Sequence, residues 1–83
     1  MESTTIIVKN PNGIEASVAV KIVQKANEFP CRITISHKQR TVNAKSLLGV
    51  LALAINNRDE VILTADGEHE SSALEELSRV LNG

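Results

Sequence analysis

The chain has 83 residues, enough for one domain around one modest core. Nine Lys and Arg against ten Asp and Glu leave a formal net charge of -1, and aromatic residues make up 1% of the chain. That balance lacks the basic excess and the stacking aromatics of a nucleic-acid binder, so no direct nucleic-acid partner is expected. The 42% hydrophobic share is ordinary for a folded protein, but Phe29 is the only aromatic, so aliphatic side chains must build the core. The N-terminus carries no apolar signal segment and no run is long enough to cross a bilayer, so the expected location is the cytoplasm, with no membrane partner. The lone Cys31 has no disulfide partner in the chain and reads as a small buried hydrophobe.

Thr4 to Val8 is a short β-branched run and predicts a strand. The turn-rich Asn10-Pro-Asn-Gly13 follows. From Ile14 to Phe29 the pattern becomes helical, with Ala19, Ile22, Val23 and Ala26 at i, i+3, i+4 and i+7. Pro30 is expected to end that helix, because proline disfavours helical geometry in the residue before it. Cys31 to Ser36 alternates, with Cys31, Ile33 and Ile35 facing inward. His37-Lys-Gln39 reads as a polar turn, and Arg40 to Asn43 as the returning strand of a hairpin. After a second helix, Asn56 to Asp59 is a turn and Glu60 to Ala65 a strand with Val61, Leu63 and Ala65 on one face. Asp66-Gly67 is another turn. The last helix is expected from about Glu70 to Leu81, with Ala73, Leu74, Leu77, Val80 and Leu81 as its apolar stripe and acidic residues near its start. The order βαββαβα in one chain of this length predicts an α+β domain spanning residues 1–83, one sheet with its helices on a single face.

The second helix is unusual. Ser46 stands in a favoured N-cap position, directly before an uninterrupted apolar or small run from Leu47 to Ile55. Leu47, Val50, Leu51 and Ala54 fit one helical stripe, which leaves Leu48, Ala52 and Leu53 partly outside it. Such a helix is either buried on most sides or offers an apolar patch to a partner.

Hydrolytic and metal chemistry find little support. His37, His69 and Cys31 are the only histidines and thiol, and no cluster of ligand residues has metal-binding spacing. Gly13 and Gly67 are isolated turn glycines, not a phosphate-cradling loop. No metal and no cofactor are expected. The glutamates at 60, 68, 70, 75 and 76 read as a solvated surface.

The element order, Asn12-Gly13-Ile14 before the first helix, Asn43-Ala-Lys-Ser-Leu-Leu-Gly49 before the second and Asp66-Gly-Glu-His-Glu70 before the last resemble the HPr family of small phosphocarrier proteins of the bacterial sugar phosphotransferase system. The resemblance runs along essentially the whole chain. It implies an open-faced β-sandwich, a four-stranded antiparallel sheet with three helices on one face. It also implies a carrier histidine directly after the Gly-Ile pair, an arginine two residues later and then a proline. Here those positions are Glu15, Ser17 and Val18. Imidazole is a nucleophile near neutral pH, whereas Glu15 could form only an acyl phosphate and has no arginine beside it. No catalytic residue is therefore assigned, and the chain is not expected to be an enzyme. Glu15 reads as an anion at a helix N-terminus, worth about 0.3–1 kcal/mol, or as a fixed mimic of a phosphorylated histidine.

A second family feature is retained. The resemblance implies that Ser46 is a regulatory phosphorylation site, modified in Gram-positive members by an HPr kinase/phosphatase. Retaining this serine while losing the carrier histidine is similar to the Crh-type, catabolite-repression branch of the family. The implied role is carbon catabolite regulation through phosphorylated Ser46 and a partner surface of Ala16, Ser17, Val20, Gln24, Leu47, Leu48 and Leu51. Implied partners are the HPr kinase/phosphatase and a catabolite control transcription regulator or other HPr partners. Crh-type chains keep the arginine that is Ser17 here, which weakens the case for the transcription regulator. The alternatives are a phosphocarrier with a non-histidine acceptor and an interaction module without phosphorylation.

Overall fold

The computed structural model describes residues 1–82. Its elements are β1 (Glu2–Ile7), α1 (Ala16–Ala26), β2 (Arg32–His37), β3 (Arg40–Asn43), α2 (Leu47–Ala52), β4 (Glu60–Asp66) and α3 (Glu70–Leu81). The four strands form one antiparallel sheet in the order β1-β4-β2-β3. Alternation along the strands divides the sheet into two faces. Ile6, Ile33, Ile35, Val61, Leu63 and Ala65 point into the core, where they meet Ala19, Ile22 and Ala26 of α1 and Ala73, Leu77 and Leu81 of α3. The other face is bare, and the expected open-faced α+β architecture is the one observed. That bare face is dressed with hydroxyls: Ser3 bonds Thr64 at 2.9 Å and Ser36 bonds Thr41 at 2.7 Å across neighbouring strands.

Element boundaries differ from the sequence expectation where loops are tied down. β1 starts at Glu2 because pairing with β4 begins at Glu2 opposite Ala65 and ends at Ile7 opposite Glu60. Val8 leaves the ladder yet stays clamped, its N–H donating to Asp59 O and its carbonyl accepting from Arg58 N. α1 begins two residues later than expected, because Glu15 is extended (φ -83°, ψ 177°) and serves as the N-cap, while the Ile14 N–H before it donates to Ile55 O at 2.9 Å. The helix also stops before Pro30. Asn27 is its C-cap, and its side-chain Nδ2 donates back to Val23 O at 2.8 Å. β2 begins at Arg32, so Cys31 is buried as expected but lies just outside the strand.

One expectation is corrected outright. His37 is not part of a polar turn. It is the last residue of β2 and only 4% exposed, pointing inward with Ile33 and Ile35. The turn is Lys38-Gln39 alone, with φ of 48° and 69°, the double left-handed geometry that joins twisted antiparallel strands.

Candidate functional site

α2 decides between the two readings of its apolar run. Only Val50 of the helix is buried, with Leu53 just beyond it, while Leu47, Leu48 and Leu51 are 39%, 82% and 38% exposed. The inward stripe is therefore Val50 and Leu53, not Leu47, Val50, Leu51 and Ala54. The helix is shorter than expected, because Ala54 adopts a left-handed φ of 50° and turns the chain away. Ile55 returns to the core. The Arg40 guanidinium donates to Ala52 O at 3.2 Å and satisfies one of the carbonyls left open at the helix end.

Ser46 is the N-cap. Its extended backbone (φ -108°, ψ 116°) aims the hydroxyl at the first turn, where Oγ accepts from Gly49 N at 3.2 Å. The next intrahelical bond runs from Val50 N to Ser46 O, so the Leu47 and Leu48 amides have no acceptor within the helix. The approach to Ser46 is fixed by a relay. Asn43 Oδ1 accepts from Lys45 N at 2.8 Å, Lys45 Nζ donates to Phe29 O at 2.7 Å, and Asn27 Nδ2 reaches Lys45 O at 3.4 Å. Lys45 is thus committed to holding the end of α1 against the Ser46 loop.

Glu15 lies at the other helix start. It is the N-cap residue of α1, with its carbonyl accepting from Ala19 N at 2.9 Å. Its carboxylate makes no cap bond to the helix backbone. It is exposed and accepts from Ser17 Oγ at 3.5 Å. Gly13 sets this arrangement: its φ is 68°, and a Cβ there would lie 2.4 Å from Ile55 O. The turn before α1 is therefore pressed against the segment leaving α2.

The seven residues expected to meet a partner are all exposed. With 3.6 residues per turn, Ala16, Val20 and Val23 share the flank of α1 that carries Asn27, the residue reaching the Lys45 loop before α2. Lys25 lies on the opposite flank and pairs with Glu76 of α3 at 3.2 Å. Ala16 and Val20 thus lie on the side of α1 turned toward Leu47 and Leu51, and Ser17 and Gln24 border them toward solvent. This is a two-helix surface with an apolar centre and a polar margin, Ser46 at one end and Glu15 at the other. It can receive a protein face. Among the described residues no group of three or more His, Cys, Asp or Glu could hold a metal ion.

Two features escaped the sequence reading. One is the His37–Asp59 contact, invisible because His37 sits in a run of polar residues whose alternation could be followed only to Ser36. The other is the pair of cationic side chains, Lys9 and Arg58, brought together by the loops after β1 and before β4.

The fold is an open-faced α+β domain, one four-stranded antiparallel sheet carrying three helices. The chain belongs to the HPr family: the family profile described as "PTS HPr component phosphorylation site" matches residues 2–83. It is 39% identical over 75 residues to a phosphocarrier protein HPr of Xylella fastidiosa strain 9a5c, covering 90% of this chain and 84% of that one. It is 37% identical over 78 residues to the HPr-like protein Crh of Bacillus subtilis strain 168, covering 94% and 92%. The fold superposes on a phosphocarrier protein HPr from Bacillus anthracis strain Ames with a TM-score of 0.94 at 34% identity, covering 98% of this chain and 96% of that one. No helix is long and apolar enough to cross a membrane.

Proposed function

We propose that this HPr-family chain is a non-enzymatic regulatory protein of the cytoplasm that does not carry phosphate on histidine. It acts in carbon catabolite regulation through phosphorylation of Ser46 by an HPr kinase/phosphatase and through its α1–α2 surface. The observation that carries the reading is the contrast between the two helix starts. At α1 an exposed carboxylate, Glu15, occupies the position that resemblance gives to the carrier histidine, and Ser17 cannot supply a guanidinium. At α2 a hydroxyl sits beside the unpartnered amides of Leu47 and Leu48 and next to three exposed leucines. A phosphate on Ser46 would place about two negative charges there and change which partner the leucines accept.

Neither histidine stands at the start of α1. His37 is committed to Asp59, and His69 precedes α3 on a different part of the surface. The partners that fit are the HPr kinase/phosphatase and a protein that recognises the phosphorylated surface, such as a catabolite control regulator.

Intact mass after incubation with ATP and an HPr kinase/phosphatase tests the reading, with Ser46→Ala in parallel. One acid-stable phosphate on the native chain and none on the variant is expected. An acid-labile phosphate that survives Ser46→Ala and disappears in Glu15→Gln would replace this reading with a carrier using an acyl phosphate. No phosphate on either chain would leave an unmodified interaction module.

A further inference from the structure

On the edge of the bare sheet face, away from the Ser46 hydroxyl, the loops after β1 and before β4 enclose a cleft of about 480 Å³ lined by Ile7, Lys9, Pro11, Asn57 and Arg58. That volume is within the range of small-molecule sites. The walls are held rigidly. Val8 is bonded in both directions to Arg58 and Asp59 at 2.8 and 2.9 Å, and Asn57 Nδ2 donates to Asn10 O at 2.9 Å. Arg58 is held at a φ of 76°, a left-handed conformation that a long side chain adopts only where its surroundings impose it.

The charge of the cleft is uncompensated. Neither Lys9 nor Arg58 takes part in a salt bridge among the described residues. The neighbouring Asp59 carboxylate is turned away, its Oδ2 taken by Asn56 N at 2.9 Å and by His37 Nε2 at 2.8 Å. Glu60, opposite Ile7 in the ladder, is the acidic residue nearest by register, and it does not line the cleft. Two cations therefore flank an apolar wall of Ile7, itself 43% exposed, and Pro11 in a chain whose net charge is -1.

We infer that this cleft binds a small organic phosphate monoester. The guanidinium and ammonium hold the phosphate dianion, and the carbon skeleton lies against Ile7 and Pro11. Two cations match the charge of a monoester, and guanidinium matches its oxygens in a planar, two-pronged geometry. The apolar wall favours a ligand with a carbon body over the bare ion. This site does not depend on Ser46 or Glu15 and stands or falls separately from the regulatory reading.

Phenyl phosphate titrated into the full chain, followed by backbone amide NMR shifts, tests the site. Saturable shifts are expected at Lys9, Asn57 and Arg58, with inorganic phosphate binding more weakly. Lys9→Gln, an exposed change with no bonded partner to lose, should weaken binding about tenfold, as should Arg58→Asn, whose side chain tolerates the left-handed backbone. Glu60→Gln should strengthen it. The proposal is overturned by an absence of saturable shifts in the native chain. It is also overturned if binding is unchanged in Lys9→Gln while the amide spectrum shows the fold intact. Tenfold tighter binding of a phosphoserine peptide than of phenyl phosphate would overturn it too, in favour of a protein partner.

Discussion

His37 Nε2 lies 2.8 Å from Asp59 Oδ2, joining the end of β2 to the loop that enters β4. The same oxygen accepts from Asn56 N at 2.9 Å, while the Asp59 backbone carbonyl accepts from Val8 N. One residue therefore ties three segments together: the exit of β1, the turn after α2 and the hairpin of β2 and β3. A buried imidazole is tolerated in this aliphatic core because its ring nitrogen is satisfied in this way.

The contact makes a prediction about acid stability. The Asn56 backbone bond first, and then the His37 side chain, hold the Asp59 carboxyl below the usual carboxylate range. A group whose pKa is lower when folded contributes stability that is present above its unfolded pKa and is lost as pH falls through the folded one. Native stability measured by urea denaturation should therefore decline as pH drops below about 4, the ordinary Asp value. Asp59→Asn should be less stable at neutral pH and show a shallower decline over the same acid range. A parallel pH profile for the two proteins would remove Asp59 from this role.

Gly13 fixes how α1 meets the rest of the molecule. Its left-handed φ of 68° and the 2.4 Å approach of a Cβ to Ile55 O leave no room for a side chain. Backbone atoms form the obstacle, so neither partner can rotate out of the way. Gly13→Ala should cost roughly 2–4 kcal/mol in denaturant unfolding, from backbone strain and displacement of the Ile55 segment. A loss below half a kcal/mol would mean that the turn before α1 yields easily.

Much of this was legible in the chain. α3 and the inward faces of β2 and β4 follow directly from period-3.6 and period-2 apolar spacing, because those residues pack against a single core, and β3 follows as the return strand of a hairpin. The start of α1 and the end of α2 did not, because backbone turns set them: Gly13 takes a left-handed φ of 68° against the Ile55 segment, and Ala54 takes one of 50°. The inward stripe of α2 was misassigned for another reason. In a run where nearly every residue is apolar, periodicity cannot say which side faces the sheet. The apolar run of α2 left burial and exposure both open, and only the fold shows Leu47, Leu48 and Leu51 to be exposed. The Lys9–Arg58 cleft could not be anticipated, since its halves lie some fifty residues apart and meet only through the β1–β4 pairing and the loop bonds beside it.

Ser46 has a structural role separable from any modification. Ser46→Ala removes the acceptor for Gly49 N and should lower stability by about 1 kcal/mol. Ser46→Asp keeps an acceptor at the cap and should stay within about 0.5 kcal/mol of the native chain. Urea midpoints of the three proteins distinguish these outcomes. Equal stability of all three would mean that the cap contributes nothing to α2.

Leu48 separates binding from folding most cleanly. It is 82% exposed on α2, while Val50, two residues on, is 1% exposed in the core. A solvent-exposed leucine adds little to folding, so Leu48→Gln should change stability by less than about 0.5 kcal/mol. Val50→Ala empties part of the core and should cost roughly 2 kcal/mol. If the α1–α2 surface receives a protein partner, the ranking reverses for binding. Leu48→Gln should weaken affinity at least tenfold, about 1.4 kcal/mol, since it places an amide at the apolar centre of the contact. Val50→Ala should leave affinity near native at temperatures where it remains folded. Titration calorimetry of the Ser46-phosphorylated chain against its partner, with both variants melted beforehand, reads the two effects separately. Native affinity in Leu48→Gln would place the partner's contact elsewhere, and would leave the exposed leucines of α2 without a role in binding.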